Sequence, residues 1–186
     1  GECLLASGPR FDKNKDKEAL KLTLFCLHKD GHVHEFYDKS HLVPFGEYFP
    51  FRKWINLPTL TFGSVDFIPG QGPKTMTINK TSFSPLICYE AIFPGEVTNA
   101  LSRPKWLLNI TNDAWYGVSF GPFQHFFIIR VRAIEEGLPL IRVANNGISA
   151  IIDAYGRIVS HLEQNQEGII DGYLPQDLPA TLYSVY

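Results

Sequence analysis

Several classes are excluded by what this chain has little of. Its 17 basic and 19 acidic residues leave a net charge of −2, so no positive surplus argues for nucleic-acid binding. No apolar run approaches the ~18 residues of a membrane span, and no secretory signal is visible. The three cysteines, Cys3, Cys26 and Cys88, cannot build a full disulfide framework, so compartment cannot be read from them. No Gly-rich phosphate loop, zinc-type Cys/His spacing or Ser-His-Asp signature is present. There is no internal repeat, low-complexity tract or linker. What is present is 45% hydrophobic and 19% charged residues in a chain of 186, a globular composition long enough for one domain with a sizeable core.

The stretch around Cys88 organises the rest. Ser82 to Ile87 is a short apolar run, and Cys88 stands at its end, followed by Tyr89, Glu90 and the Pro94-Gly95 break. A thiol where a buried strand turns sharply is held rigidly, and the backbone N–H groups after it can face a developing oxyanion. The alternative is a buried structural cysteine.

Strands are expected at Leu4–Ser7, closed by Gly8-Pro9, and at Ala19–His28, with Leu20, Leu22, Leu24 and Cys26 on one face. Lys13 to Glu18 reads as a charged loop. Asp30-Gly31 predicts a hairpin turn returning as His32–Tyr37. His32 and His34 share a strand face, but with no third ligand spaced nearby they read as solvated edge histidines. Lys39 follows this strand, on what reads as an exposed rim, so its loss is expected to leave stability almost unchanged. Phe45, Tyr48, Phe49, Phe51 and Trp54, set among prolines and a glycine, predict a rigid aromatic loop. It could line an acyl-chain pocket or touch a membrane interface, or simply pack in the core.

Further strands are expected over 60–69, 74–79, 106–111, 140–144, 149–153, 158–161 and 168–174, with a short helix over 96–102. Asn112, Asp113 and Trp115 follow a buried strand, where they could orient a site or form an Asx turn. Pro122 to Glu136 predicts the best helix, with Phe123, Phe126, Phe127, Val131 and Ile134 at helical spacing and Gly137 as its stop. His125 and Arg130 read as structural. The tail from Pro175 reads as irregular.

Lys39, Cys88 and the acidic pair Glu47 and Glu90 make up the candidate chemistry. A thiolate attacks carbonyl carbon, a lysine cation favours it, and a carboxylate carries protons. The carrying segments are Tyr37-Asp-Lys-Ser-His-Leu-Val-Pro-Phe-Gly-Glu-Tyr48, Leu86-Ile-Cys-Tyr-Glu90, Asn109-Ile-Thr-Asn-Asp-Ala-Trp-Tyr-Gly117, Gln124-His125 with Arg132-Ala-Ile-Glu135, and Arg142-Val-Ala-Asn-Asn-Gly-Ile-Ser149. With them the chain resembles the nitrilase (carbon–nitrogen hydrolase) superfamily and, within it, the apolipoprotein N-acyltransferase branch of bacterial inner membranes.

The resemblance implies an α/β fold, a four-layer α-β-β-α sandwich forming one catalytic domain over residues 1–186. It implies Cys88 as nucleophile and Lys39 as triad lysine. Glu47, Tyr89 and Glu90 are implied as supporting residues, and Phe45, Tyr48 and Trp115 as substrate-binding candidates. A phospholipid would be acyl donor and a diacylglyceryl-lipoprotein the acceptor, with no metal, no cofactor and no nucleic acid, and the domain on the periplasmic side of the inner membrane. The family's general-base glutamate would lie upstream of Leu4, a place Glu2 does not convincingly fill, and membrane helices would flank the chain. An N-terminally truncated, inactive fragment is therefore expected. A soluble amidase or nitrilase, and an inactive binding module of the same fold, remain alternatives.

Overall fold

The computed structural model describes residues 3–12, 19–50 and 66–185. The expected loop over 13–18, the first six residues of the expected 60–69 strand, Glu2 and the aromatics Phe51 and Trp54 lie outside the described residues. The chain divides into two compact units, Gly1–Gly72 and Pro73–Tyr186.

The first unit is an antiparallel sheet of three strands in sequence order, β1 (Cys3–Asp12), β2 (Ala19–His28) and β3 (Val33–Asp38). β1 is longer than expected and runs straight through Gly8-Pro9, which pair with Thr23 and Leu22. Pro9 lacks an N–H, and β1 carries no ladder on its other side among the described residues, the edge setting in which proline is tolerated in a sheet. β2 has its expected bounds, and its buried face carries Leu24 and Cys26. Cys26 is bonded to Cys3, a pairing the sequence reading did not anticipate. Asp38, at the end of β3, accepts hydrogen bonds from Arg10 Nη2 (2.7 Å), Lys21 Nζ (3.0 Å) and Thr23 Oγ1 (2.7 Å). Burial pushes its carboxyl up, but these donors more than offset that and hold it below the usual carboxylate range. One carboxylate thus clamps all three strands just before Lys39.

The second unit is a six-stranded sheet in sequence order: β4 (Met76–Ile78), β5 (Thr81–Ile87), β6 (Trp106–Asn112), β7 (Leu140–Asn145), β8 (Ser149–Ile152) and β9 (Ile158–Leu162). β5, β6 and β7 are parallel, and the flanking pairs are antiparallel. Asn79 and Lys80 both take positive φ, 47° and 68°, between β4 and β5, the geometry of a two-residue primed turn. β4 pairs only with Thr81–Phe83. Beyond that point β5 carries no ladder on that side among the described residues, which is where Pro85 sits without an N–H to waste.

Helix α1 (Gly121–Glu136) starts with Pro122 in its first turn and stops at Gly137, whose left-handed φ of 64° closes the end. Its buried face is Pro122, His125, Phe126, Ile129, Arg132, Ala133 and Glu136. Of the expected apolar face Phe126 is buried, but Phe123, Phe127 and Ile134 are exposed. An apolar count discounts the three polar residues that the interior accepts here. Phe126, Ile129 and Ala133 cover a row of sheet residues, Leu107, Leu140 and Ile152, that lie opposite one another across β6, β7 and β8. Each such leucine or isoleucine stabilises by roughly 1.5–3 kcal/mol on burial.

Two expected elements are absent and one is new. Residues 96–102 form turns, because Val97 O accepts the buried Ser84 hydroxyl (2.7 Å) and Asn99 caps Leu101 N–H (2.9 Å), local bonds that compete with a helix. Residues 168–174 join no strand among the described residues; Ile169 and Tyr173, which would share one strand face, are more than nine-tenths exposed, so that face is not covered. The tail carries a single helical turn, α2 (Leu182–Val185), capped by Thr181 Oγ1 receiving Ser184 N–H (3.1 Å). No helix of the described residues is long and apolar enough to cross a membrane.

Candidate active site

Cys88 stands at the C-terminal end of β5, where the chain turns at once into a 3-10 helix over Cys88–Ile92. Its φ of +53° lies in the left-handed region, a conformation costly for a residue with a Cβ and concentrated at functional sites. Two neighbours hold it there. Glu90 is 3% exposed and folds back so that its Oε2 accepts Ile87 N–H at 2.7 Å. The carboxylate of this expected supporting residue therefore tightens the elbow from beneath. Asn109, from β6, donates its Nδ2 to Leu86 O (3.1 Å) and Cys88 O (3.5 Å). Cys88 is the free cysteine and is half-buried. Tyr89 packs edge-on against Phe93, with ring centroids 5.0 Å apart.

A buried polar cluster supports Asn109. Along β6 and β7 the face that carries Leu107 and Leu140 turns polar two residues later, at Asn109 and Arg142, which pair in register. Arg142 is 1% exposed. It donates to Asn109 Oδ1, to Asp113 Oδ2 (2.6 Å) and to Ile148 O (3.0 Å). Asp113 also meets Thr111 Oγ1 (3.0 Å) and His125 Nδ1 (3.2 Å). Burial pushes the Asp113 carboxyl up, but His125 and the Arg142 charge outweigh it and leave the group below the usual range; burial likewise lowers Arg142, against the pull of Asp113. Gly147 is required beside this pair, because a Cβ there would run into the Asp113 carboxylate. The Tyr116 hydroxyl is pushed up to about 12, first by burial and then by negative charge on Cys88 and Asp113, so it stays a neutral donor at physiological pH.

Asn112 does form the Asx turn, accepting Ala114 N–H (3.1 Å), while the adjacent Asp113 points inward to Arg142. The Asx-turn reading holds for Asn112, and Asp113 is buried against Arg142. Trp115 is exposed. A cavity of about 450 Å³ opens beside it, lined by Asp113, Val118, Ser119, Phe123, Asn146 and Gln164 among others; neither Cys88 nor Trp115 lines it.

In the first unit, Lys39 is wholly buried, not on a rim. Its N–H donates to Leu22 O (2.8 Å) and its carbonyl accepts Gly70 N–H (2.7 Å). Gly70 passes so close to Asp38 O that a Cβ would collide with it. Lys39 Nζ meets Glu47 Oε1 at 2.6 Å, and Glu47 Oε2 accepts Val43 N–H at 2.8 Å. A buried ammonium needs such a partner, and Glu47 supplies it. Phe45 takes a φ of +63° and its N–H donates to Tyr48 O (2.8 Å), bending the loop that carries both aromatic candidates. Phe45 also stacks edge-on with Phe49 at 5.6 Å.

Sequence reasoning did not assign roles to Asn109 and Arg142. The signal was available: an amide and a guanidinium inside apolar strands must be paired within the interior.

Comparison with known proteins bears on these features. A family profile described as carbon-nitrogen hydrolase matches residues 3–181. Apolipoprotein N-acyltransferases of Rickettsia typhi and Rhodopseudomonas palustris are 48% and 45% identical, over 99% and 87% of this chain. The chain spans only 38% and 31% of the length of those proteins. Among solved structures, an amidase from Nesterenkonia sp. superposes with a TM-score of 0.59 at 21% identity, covering 88% of this chain and 57% of that one. Nit3 of Saccharomyces cerevisiae, a member of branch 10 of the nitrilase superfamily, does so with 0.64 at 19%, covering 89% and 57%. The likeness in fold, the cysteine elbow and the profile spanning nearly every residue lead to one assignment: the chain belongs to the carbon-nitrogen hydrolase family.

Proposed function

We propose that the chain is the catalytic domain of an apolipoprotein N-acyltransferase. Cys88 attacks the ester carbonyl of a phospholipid acyl chain, forms an acyl thioester and releases the lysophospholipid alcohol. The α-amino group of a diacylglyceryl-cysteine lipoprotein then attacks the thioester and forms an amide, the amine's proton passing through a carboxylate base to the released sulfur so that the thiol is restored. The thiol proton passes to a carboxylate base and on to the leaving alcohol; neither step calls for a metal or an organic cofactor. Lys39 supplies positive charge for the thiolate and the oxyanion, worth typically a few kcal/mol in a transition state. Glu47 holds that lysine. Glu90 and Tyr89 shape the elbow, and Phe45, Tyr48 and Trp115 contact lipid. The observation that carries the reading is Cys88 held with a left-handed backbone at the end of a parallel strand; 45–48% identity to proteins of that name supports the choice of acyl transfer. The Cys3–Cys26 bond supports an oxidising compartment, in keeping with the periplasmic side of the bacterial inner membrane.

The test is intact-protein mass spectrometry of the full gene product with phospholipid, then with a synthetic diacylglyceryl-cysteine peptide. An acyl adduct on the wild type that Cys88→Ala abolishes, followed by N-acylated peptide, is expected. Free fatty acid with no acylated peptide would instead indicate a hydrolase. No adduct at all would indicate an inactive binding module.

A further inference from the structure

The hairpin joining β2 to β3 brings together three side chains that the acyl-transfer reading does not use. Gly31, at φ +87°, lets the chain reverse within four residues. His28 N–H donates to His32 O (2.9 Å) and Gly31 N–H to His28 O (2.8 Å), so the backbone carrying both histidines is rigid. The imidazoles come to 5.1 Å between centroids. Both Nδ1 atoms face the same oxygen, Asp30 Oδ1, His32 at 2.5 Å and His28 at 3.2 Å. That carboxylate is itself held by His32 N–H at 3.2 Å. One ligand atom from each of the three residues lies within 4.8 Å of the others. The groups gathered beside His32 are therefore not His34 but His28, the last residue of β2, and Asp30 of the turn.

We propose that His28, Asp30 and His32 bind one divalent transition-metal ion of the zinc class, through both Nδ1 atoms and a carboxylate oxygen, with water completing the shell. Three observations support it. Zinc bonds of ~2.0–2.1 Å in a tetrahedron set its ligand atoms ~3.3 Å apart; the His28–Asp30 separation of 3.2 Å already matches, and the His32–Asp30 contact of 2.5 Å opens by less than ~1 Å when an ion replaces the hydrogen bond. His28 Nδ1 is buried, and it faces the Asp30 carboxylate oxygen at 3.2 Å, so an imidazole nitrogen and a carboxylate oxygen are already set side by side where one ion would bridge them. The donor set of two imidazoles and one carboxylate fits zinc, nickel or copper; calcium and magnesium prefer all-oxygen shells. The bound ion would tie the last residue of β2 to the residue before β3, closing the hairpin.

The experiment is calorimetric titration of Zn²⁺ into the tag-free protein carrying Cys88→Ser, so that the thiol does not compete. Circular dichroism verifies that each variant is folded. One equivalent should bind, with ¹⁵N shifts of the His28 and His32 rings placing the metal at Nδ1. His28→Ala or His32→Ala should weaken binding by more than the roughly 10–100-fold that losing an outer-shell partner costs. Asp30→Asn should weaken it too, and His34→Ala should leave it unchanged. Absence of saturable binding, binding that survives His28→Ala in a folded protein, or equal binding of Mg²⁺ would each overturn the proposal.

Discussion

Replacing Arg142 with methionine probes the cluster behind the cysteine most directly. The side chain is completely buried, and Asp113, at 1% side-chain exposure, is its ion-pair partner at 2.6 Å. Methionine fills much of the volume but leaves the Asp113 carboxylate with only Thr111 and His125, and leaves Asn109 Oδ1 and Ile148 O without their donor. Removing one partner of a buried pair costs about 3–5 kcal/mol, and each orphaned acceptor adds about 1–3 kcal/mol where it cannot reach water. Even the lower figure is a large share of a typical ~5–15 kcal/mol stability. At roughly 2–4 °C per kcal/mol for a chain of this size, Tm should fall by roughly 6–20 °C. Urea unfolding followed by circular dichroism measures the loss, and adding Asp113→Asn should recover part of it, since the uncompensated charge is then gone. Asp113 also sets a sign with pH. Its folded pKa is depressed, so its contribution is present above the unfolded value of ~3.9 and is lost as pH falls through the lower folded one. The Asp113→Asn protein should therefore lose less stability than wild type on acidification. Under native conditions, Arg142→Met should also slow alkylation of Cys88, because Asn109 no longer orients the Cys88 carbonyl. A single variant within 1 kcal/mol of wild type, or a double variant whose losses simply add, would refute the account.

Other perturbations test other parts. Lys39→Met should cost about 3–5 kcal/mol, because it strips the cation from the Glu47 carboxylate; adding Glu47→Gln should restore most of it, and melting curves of both decide. Glu136 is raised above its usual pKa by burial, so it favours the folded state below the unfolded value and works against it as pH rises through the folded one. Glu136→Gln should accordingly raise Tm at pH 7, with the gain shrinking toward pH 4; a gain independent of pH would rule this out. Cys3 and Cys26 are 23 residues apart, so removing their bond should cost about 3 kcal/mol by the loop-entropy relation, read as the difference in urea midpoint between the wild type and Cys3→Ser with Cys26→Ser.

Local chemistry determined a good deal. The bounds of β2 follow from its alternation, those of α1 from Pro122 and Gly137, and the Asp30-Gly31 turn from its tolerance of positive φ. Cys88 at the end of an apolar strand was visible as a candidate nucleophile from the residues on either side. These are properties of a few consecutive residues, and short-range backbone sterics decide them. Which groups are covered was a different matter. Lys39 follows a strand and so read as a rim residue, yet distant residues bury it: Glu47 pairs its ammonium, and Leu22 and Gly70 close on its backbone. Phe123 and Phe127 carried the apolar period of α1, yet the sheet accepted the face of Phe126, Ile129 and Ala133, on which His125 also meets Asp113. Asn109 and Arg142 could be seen to need partners, but which partners depended on register across two parallel strands. The same holds for His28, which meets Asp30 and His32 only once the hairpin has closed. Covering and pairing are sums over contacts between residues far apart in the chain, and those sums exist only in the folded molecule.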